Sequence, residues 1–161
     1  VGIMYGNTNL VFQNAINNND VHEAARRWSA QRFFKLILSG KWHRIWAKIR
    51  GHRQELLSLN NEKGLAARHH EGIHPVPIKQ IVGSEGREND FDAEFLPRQL
   101  HNRDRWIGVA MARMMGKTLP PVELVQTDKG YYVRDGHHRI SVARALGEAE
   151  IDAEIIRWRA L

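Results

Sequence analysis

Tyr131-Tyr132-Val133-Arg134-Asp135-Gly136-His137-His138-Arg139-Ile140-Ser141-Val142-Ala143-Arg144-Ala145-Leu146-Gly147 starts as one kind of element and ends as another. Tyr131, Tyr132 and Val133 form a β-run, and Asp135-Gly136 is a turn signal. Ile140, Val142, Ala143 and Leu146 then fit one apolar helical face, with Gly147 as its stop. The stretch therefore predicts a strand-to-helix switch at Asp135-Gly136. The first turn of a helix offers free backbone N–H groups and a partial positive charge. His137, His138 and Arg139 fall in that turn, where cations oppose the helix dipole unless an anion such as phosphate is bound. The plainer alternative is that Asp135 caps the helix, Gly136 turns the chain, and the three side chains are solvated.

Outward from this stretch, Val122 to Gln126 reads as a strand after Pro120-Pro121, and Thr127-Asp128-Lys129-Gly130 as a hairpin turn. Ile151 to Ile156 is a final strand. Upstream, Pro75 to Val82 is a short strand near a sheet edge, because prolines cannot complete a ladder. The loop Gly83-Ser84-Glu85-Gly86-Arg87-Glu88-Asn89-Asp90-Phe91-Asp92 follows, whose glycines let the backbone turn closely around a ligand; the plainer alternative is a polar surface loop with Asp90 or Asp92 capping a short helix through Leu96. Asn102 is an N-cap candidate for a helix through Met115, which brings Arg103 and Arg105 into another first turn. The methionines of that helix are core residues.

Strand, Asp-Gly-His-His-Arg, helix, Gly and a further strand together resemble the second box of the ParB/sulfiredoxin-like fold, over about Ile73 to Trp158. The box is of Gly-x-x-Arg type in partition proteins and Gly-Cys-His-Arg in sulfiredoxins. It is Asp-Gly-His-His-Arg, or a near variant, in an archaeal kinase that phosphorylates free serine with ADP. The resemblance implies an α+β domain with nucleotide phosphates held at the helix start. It also implies that the Gly83–Asp92 loop faces the box across one pocket. A glutamate near this loop is the base in the serine kinase, and an arginine there is functional in partition proteins; Glu85, Glu88 and Arg87 match. The chain has no cysteine, so sulfiredoxin chemistry is excluded.

The absence of cysteine also removes disulfides and thiolate chemistry and is compatible with a cytoplasmic origin. The 161 residues suit one domain, or one domain with a helical appendage, and 42% are hydrophobic, enough for a core. Mean hydropathy is −0.50. No apolar run is long enough for a membrane span, and Val1-Gly2-Ile3-Met4 lacks the pattern of a signal peptide.

The net charge of +6 is unevenly spread: Val1 to Lys63 carries ten Lys/Arg against four Asp/Glu, and the remainder is balanced. This predicts a basic helical arm over residues 1–63 and the ParB/sulfiredoxin-like domain over 64–161. Leu10 to Ile16 reads as a short helix. Asp20 and Glu23 open a second, ending near Gly40, and Trp42 onward forms a third, so that the last two make a basic amphipathic pair. Arg26, Arg27, Arg44 and Lys48 are candidates for a nucleic-acid backbone, with an anionic membrane surface or a solvated face as alternatives. Asn60 to His74 reads as a linker, and His69, His70 and His74 match no metal-ligand spacing.

The resulting expectation is a nucleotide (ATP, ADP or CTP, with or without Mg2+) or other phosphorylated ligand between the Gly83–Asp92 loop and the helix at His137. Arg139 and the N–H groups near Gly136 and His138 hold phosphate, joined by Arg87, Arg103 and Arg105. His137 or His138 moves a proton, Asp135 orients a cation or hydroxyl, and Glu85 or Glu88 is the base or magnesium ligand. Phosphoryl transfer or nucleotide hydrolysis, a nucleotide-switched DNA-binding module, and a metal-dependent nuclease are the classes this admits. A homodimer is compatible with each.

Overall fold

A computed structural model describes residues 18–50, 55–59 and 65–160. Helix α1 (Asn18–Arg50) precedes strand β1 (Leu57–Ser58), β2 (Leu65–Pro77) and β3 (Ile81–Ser84). Helix α2 (Arg103–Met114), strands β4 (Val122–Thr127) and β5 (Gly130–Asp135), helix α3 (His137–Leu146) and strand β6 (Glu150–Ala160) complete the chain. The six strands form one mixed sheet in the order β1-β3-β5-β4-β6-β2. The chain is thus an α+β protein. β1, which lies before the boundary expected near residue 64, pairs within the sheet.

The core is layered. Ile140 and Ala143 of α3 pack with Val122, Leu124, Val133, Ala153 and Ile155 of the sheet. The other side of α3, through Val142 and Ala145, meets Trp106, Ile107 and Ala110 of α2, and Phe33, Leu36 and Ile37 of α1 close that cluster. Trp106 Nε1 donates to Ser141 Oγ at 3.0 Å, tying α2 to α3 inside the core. Arg32 reaches across from α1 to the Ala145 carbonyl at 3.2 Å, near the C-terminal end of α3, where a cation is favoured.

The expected hairpin is present, with β4 and β5 paired from Glu123↔Asp135 to Thr127↔Gly130. The helix from His137 to Leu146 and the last strand also stand as read, the strand running on to Ala160.

Four expectations are corrected. The basic helical pair is one 33-residue helix, because Gly40 is buried in its interior and does not stop it. A helical glycine costs only about 1 kcal/mol, which the buried contacts of Phe33, Leu36 and Ile37 offset. The expected linker from Asn60 to His74 is, from Leu65 on, part of β2, paired antiparallel with β6 at the sheet edge. There His70 pairs with Glu154 at 3.2 Å. The segment through Leu96 is not helical: Asp92 Oδ1 accepts the N–H groups of Glu94 and Leu96 at 3.0 and 2.9 Å, which holds a loop. Asn102 is no side-chain cap of α2. The short helix expected over Leu10 to Ile16 lies outside the described residues.

Candidate functional site

Strands β3 and β5 run parallel and adjacent, with Ser84 opposite Val133, so their C-terminal ends deliver the Gly83–Asp92 loop and the Asp135-Gly136 turn to the same edge. Two glycines make the approach possible. A Cβ on Gly83 would lie 2.4 Å from the Tyr132 ring and 2.5 Å from the Leu57 carbonyl oxygen. Gly136 has φ +99°, and a Cβ there would lie 2.5 Å from Val122. The Glu85 N–H donates to the Val133 carbonyl at 2.8 Å and closes the junction.

Ser84 Oγ lies 2.7 Å from His137 Nε2 and accepts the Arg87 N–H at 3.1 Å. Both Ser84 and His137 are buried. His138, also buried, places Nε2 3.2 Å from Asn102 Oδ1 and so links the start of α3 to the start of α2. Phe91 lies between them, stacked on His137 at 6.0 Å and edge-on to His138 at 5.3 Å.

Burial is the main cause that pushes His137 down to about 4, with Arg87 and His138 adding to it and Asp135 and Asp90 opposing. His138 is pushed down to about 4 first by burial, then by Arg105 and Arg87. Both imidazoles are therefore neutral at pH 7. This removes two of the three cations that the dipole argument counted at the start of α3. A neutral imidazole with hydrogen on Nδ1 accepts the Ser84 hydroxyl proton at Nε2.

Arg139 turns toward the start of β4. Its guanidinium donates to the Pro120 and Pro121 carbonyls at 2.6 and 2.7 Å and pairs with Asp135. It lines a small cavity of about 40 Å³ with Arg113, Pro120, Pro121, Glu148 and Asp152.

Within the loop, Glu85 pairs with Arg134 at 2.7 Å. Arg87 pairs with Asp90 at 3.3 Å, and His101 lies 3.4 Å from the same carboxylate. Burial raises the Glu88 pKa, but hydrogen bonds from Ser58 and from the backbone N–H groups of Glu88 and Gly86, with His137 nearby, bring it below the ordinary value. At the start of α2, Arg103 donates to Asp104 at 3.1 Å and lies over the Phe34 ring at 5.7 Å. Arg105 is exposed, yet close enough to His138 to lower its pKa.

The structure therefore brings Arg87, Arg105, His137, His138, Glu88 and Asp90 together where the loop meets the starts of α2 and α3. It turns Asp135 and Arg139 toward β4. Arg26 and Arg27 lie exposed on α1, Arg27 paired with Glu23, and the side chains of Arg44 and Lys48 lie outside the described residues. Among the described residues no group of three or more His, Cys, Asp or Glu side chains is arranged to hold a metal ion.

Sequence reasoning missed Ser84 and Asn102 as members of this cluster. Asn102 Nδ2 is buried without a hydrogen-bond partner, and so is Arg103 Nε beside it. A serine between glycines at a strand end was the available signal for Ser84. Nothing in the sequence separates an asparagine that caps a helix from one that meets a histidine 36 residues away.

No family model matches this chain, and no curated protein matches it. Among solved structures, sulfiredoxin from Arabidopsis thaliana is similar at 21% identity over 52% of this chain and 82% of that one, with a TM-score of 0.35.

Proposed function

We propose that this chain binds a phosphorylated ligand, most simply a nucleotide, where the Ser84–Asp90 loop meets the starts of α2 and α3. The observation that carries the reading is an unused buried donor, Asn102 Nδ2, beside His138, whose neutral state is held partly by Arg105 and Arg87. Unpaired buried donors are rare in folded proteins and cost free energy unless a ligand or water satisfies them. Two helix starts meet there through His138 and Asn102, and free N–H groups at a helix start favour an anion. The Asp-Gly-His-His-Arg resemblance supports the same assignment.

In this reading Arg87 and Arg105 take phosphate oxygens, helped by Arg103 and by the N–H groups after Gly136. Arg139 joins them only on exchanging its proline carbonyls for phosphate, and Asp135 orients it. Glu88, or neutral His137 acting through Ser84, is the base if a hydroxyl or water attacks the phosphate; Mg2+ with ATP, ADP or CTP would sit between the phosphates and Glu88. A kinase or nucleotide hydrolase uses these groups alone. A nuclease would need a further carboxylate beside the metal. A nucleotide-switched DNA module would add the cations of α1.

The test is a thermal-shift panel of ATP, ADP, CTP, GTP and pyrophosphate, with and without magnesium, on wild type, Arg87→Ala, Arg105→Ala and Arg139→Ala. Stabilisation of the wild type that Arg87→Ala and Arg105→Ala abolish is expected. Stabilisation that survives both substitutions would move the ligand elsewhere.

A further inference from the structure

Helix α1 carries two apolar faces. At about 100° per residue, Ala25, Ser29, Phe33, Leu36, Ile37 and Gly40 fall on one side, and all are buried. Phe34, Leu38, Trp42, Ile45 and Ile49 centre roughly 180° away, on the outward side. They are exposed: Leu38 by 57%, Trp42 by 64%, Ile45 by 52% and Ile49 by 71%. Scattered apolar residues on a surface are ordinary, but a continuous stripe of large side chains over four helical turns marks a contact surface.

The charge around the stripe identifies its partner. From Ala24 to Gln54 the sequence has nine Lys/Arg and no Asp or Glu. Among the described side chains, Arg26 and Lys41 fall on one flank of the stripe and Lys35 on the other, all exposed. A second copy of the helix would set like charges against like, with no acidic residue in the segment to pair them. A nucleic-acid backbone would meet the cations but leave Leu38, Ile45 and Ile49 against solvated phosphates. A lipid interface with anionic headgroups satisfies both sets. The aliphatic side chains enter the boundary of the acyl chains, Trp42 sits at headgroup depth, and the cations meet phosphate on either side. No helix among the described residues is long and apolar enough to cross a membrane, so this geometry lies in the plane of the surface.

We propose that the outward face of α1, from Phe34 to Ile49, binds flat on an anionic lipid surface. The contact lies on the side of α1 opposite the one packed on α2, and it meets the proposed phosphate site only at Phe34, over which Arg103 lies at 5.7 Å.

The experiment is co-sedimentation of the full chain with vesicles of phosphatidylcholine alone and of phosphatidylcholine with an equal part of phosphatidylglycerol. Binding should be at least about tenfold stronger to the anionic vesicles and fall with added salt. Leu38→Glu with Ile45→Glu should abolish it, as should Lys35→Glu with Lys41→Glu, each at an unchanged melting temperature. Equal binding to both vesicles, or to neither, overturns the proposal. So does a wild-type dimer that becomes monomeric in the Leu38/Ile45 variant, which would assign the face to a second copy. A large loss of melting temperature in that variant overturns it too, because it would mean the chain's own residues cover the face. Duplex DNA binding lost in the same variant, with no vesicle binding by the wild type, would assign the face to nucleic acid.

Discussion

His137 and His138 are the residues on which the site depends, and their chemistry has a pH signature. Each has a folded pKa near 4, against 6.5 for an unburied histidine. The unfolded chain therefore takes up protons first as pH falls. The stability these residues contribute is complete above about pH 6.5 and is lost between there and pH 4, on the order of 3 kcal/mol for each histidine before any discount for the partial exposure of His138. Urea denaturation of wild type and His137→Asn at pH 7 and pH 4.5 checks this. The gap between the two proteins should narrow at the lower pH, because the variant has one buried imidazole fewer to charge. Gly136 gives a second prediction. Its φ of +99° and the nearness of Val122 leave no room for a side chain. Gly136→Ala should cost about 2–3 kcal/mol in the same assay.

At the scale of elements, α1 is held by what it buries. Phe33→Ala removes a fully buried ring that touches Trp106 at 5.8 Å between centroids and should cost about 3–5 kcal/mol. Trp106→Phe keeps the packing but strands the Ser141 hydroxyl, for about 1–2 kcal/mol. Chemical denaturation measures both, and the larger effect belongs to Phe33. The legible elements were those with strong local chemistry: the Thr127–Gly130 turn, the Asp135-Gly136 switch and the Gly147 stop each demand particular backbone geometry. Strand β2 was hidden because its stretch from Arg68 to His74 is largely solvent-facing, so no alternation of apolar residues marks it. Gly40 misled because tertiary packing, invisible locally, outweighs its propensity. Asn102 misled for a related reason, since its partner His138 comes from a different helix.

For the whole molecule, the sheet order is what brings the candidate site residues together. Parallel pairing of β3 with β5 sets a loop and a helix start, about fifty residues apart in sequence, at one edge. The α1–α2–α3 stack then brings Arg103 and Arg105 to the same edge from a third element. The resemblance in the Asp-Gly-His-His-Arg box pointed to that edge, and the imidazoles lie there. It did not indicate that they are buried and neutral, or that Arg139 is held by Pro120 and Pro121. Those facts depend on contacts from β4, α2 and Phe91 that no local pattern encodes. In the proposed function, anion recognition falls chiefly to Arg87 and Arg105, the exposed cations of the cluster. Calorimetric titration of the best-stabilising nucleotide against wild type and Arg105→Ala tests this most directly. Binding about tenfold or more weaker in the variant is expected, the loss of one charge-assisted contact of about 1.4 kcal/mol or more. Equal affinity in the two proteins would contradict it.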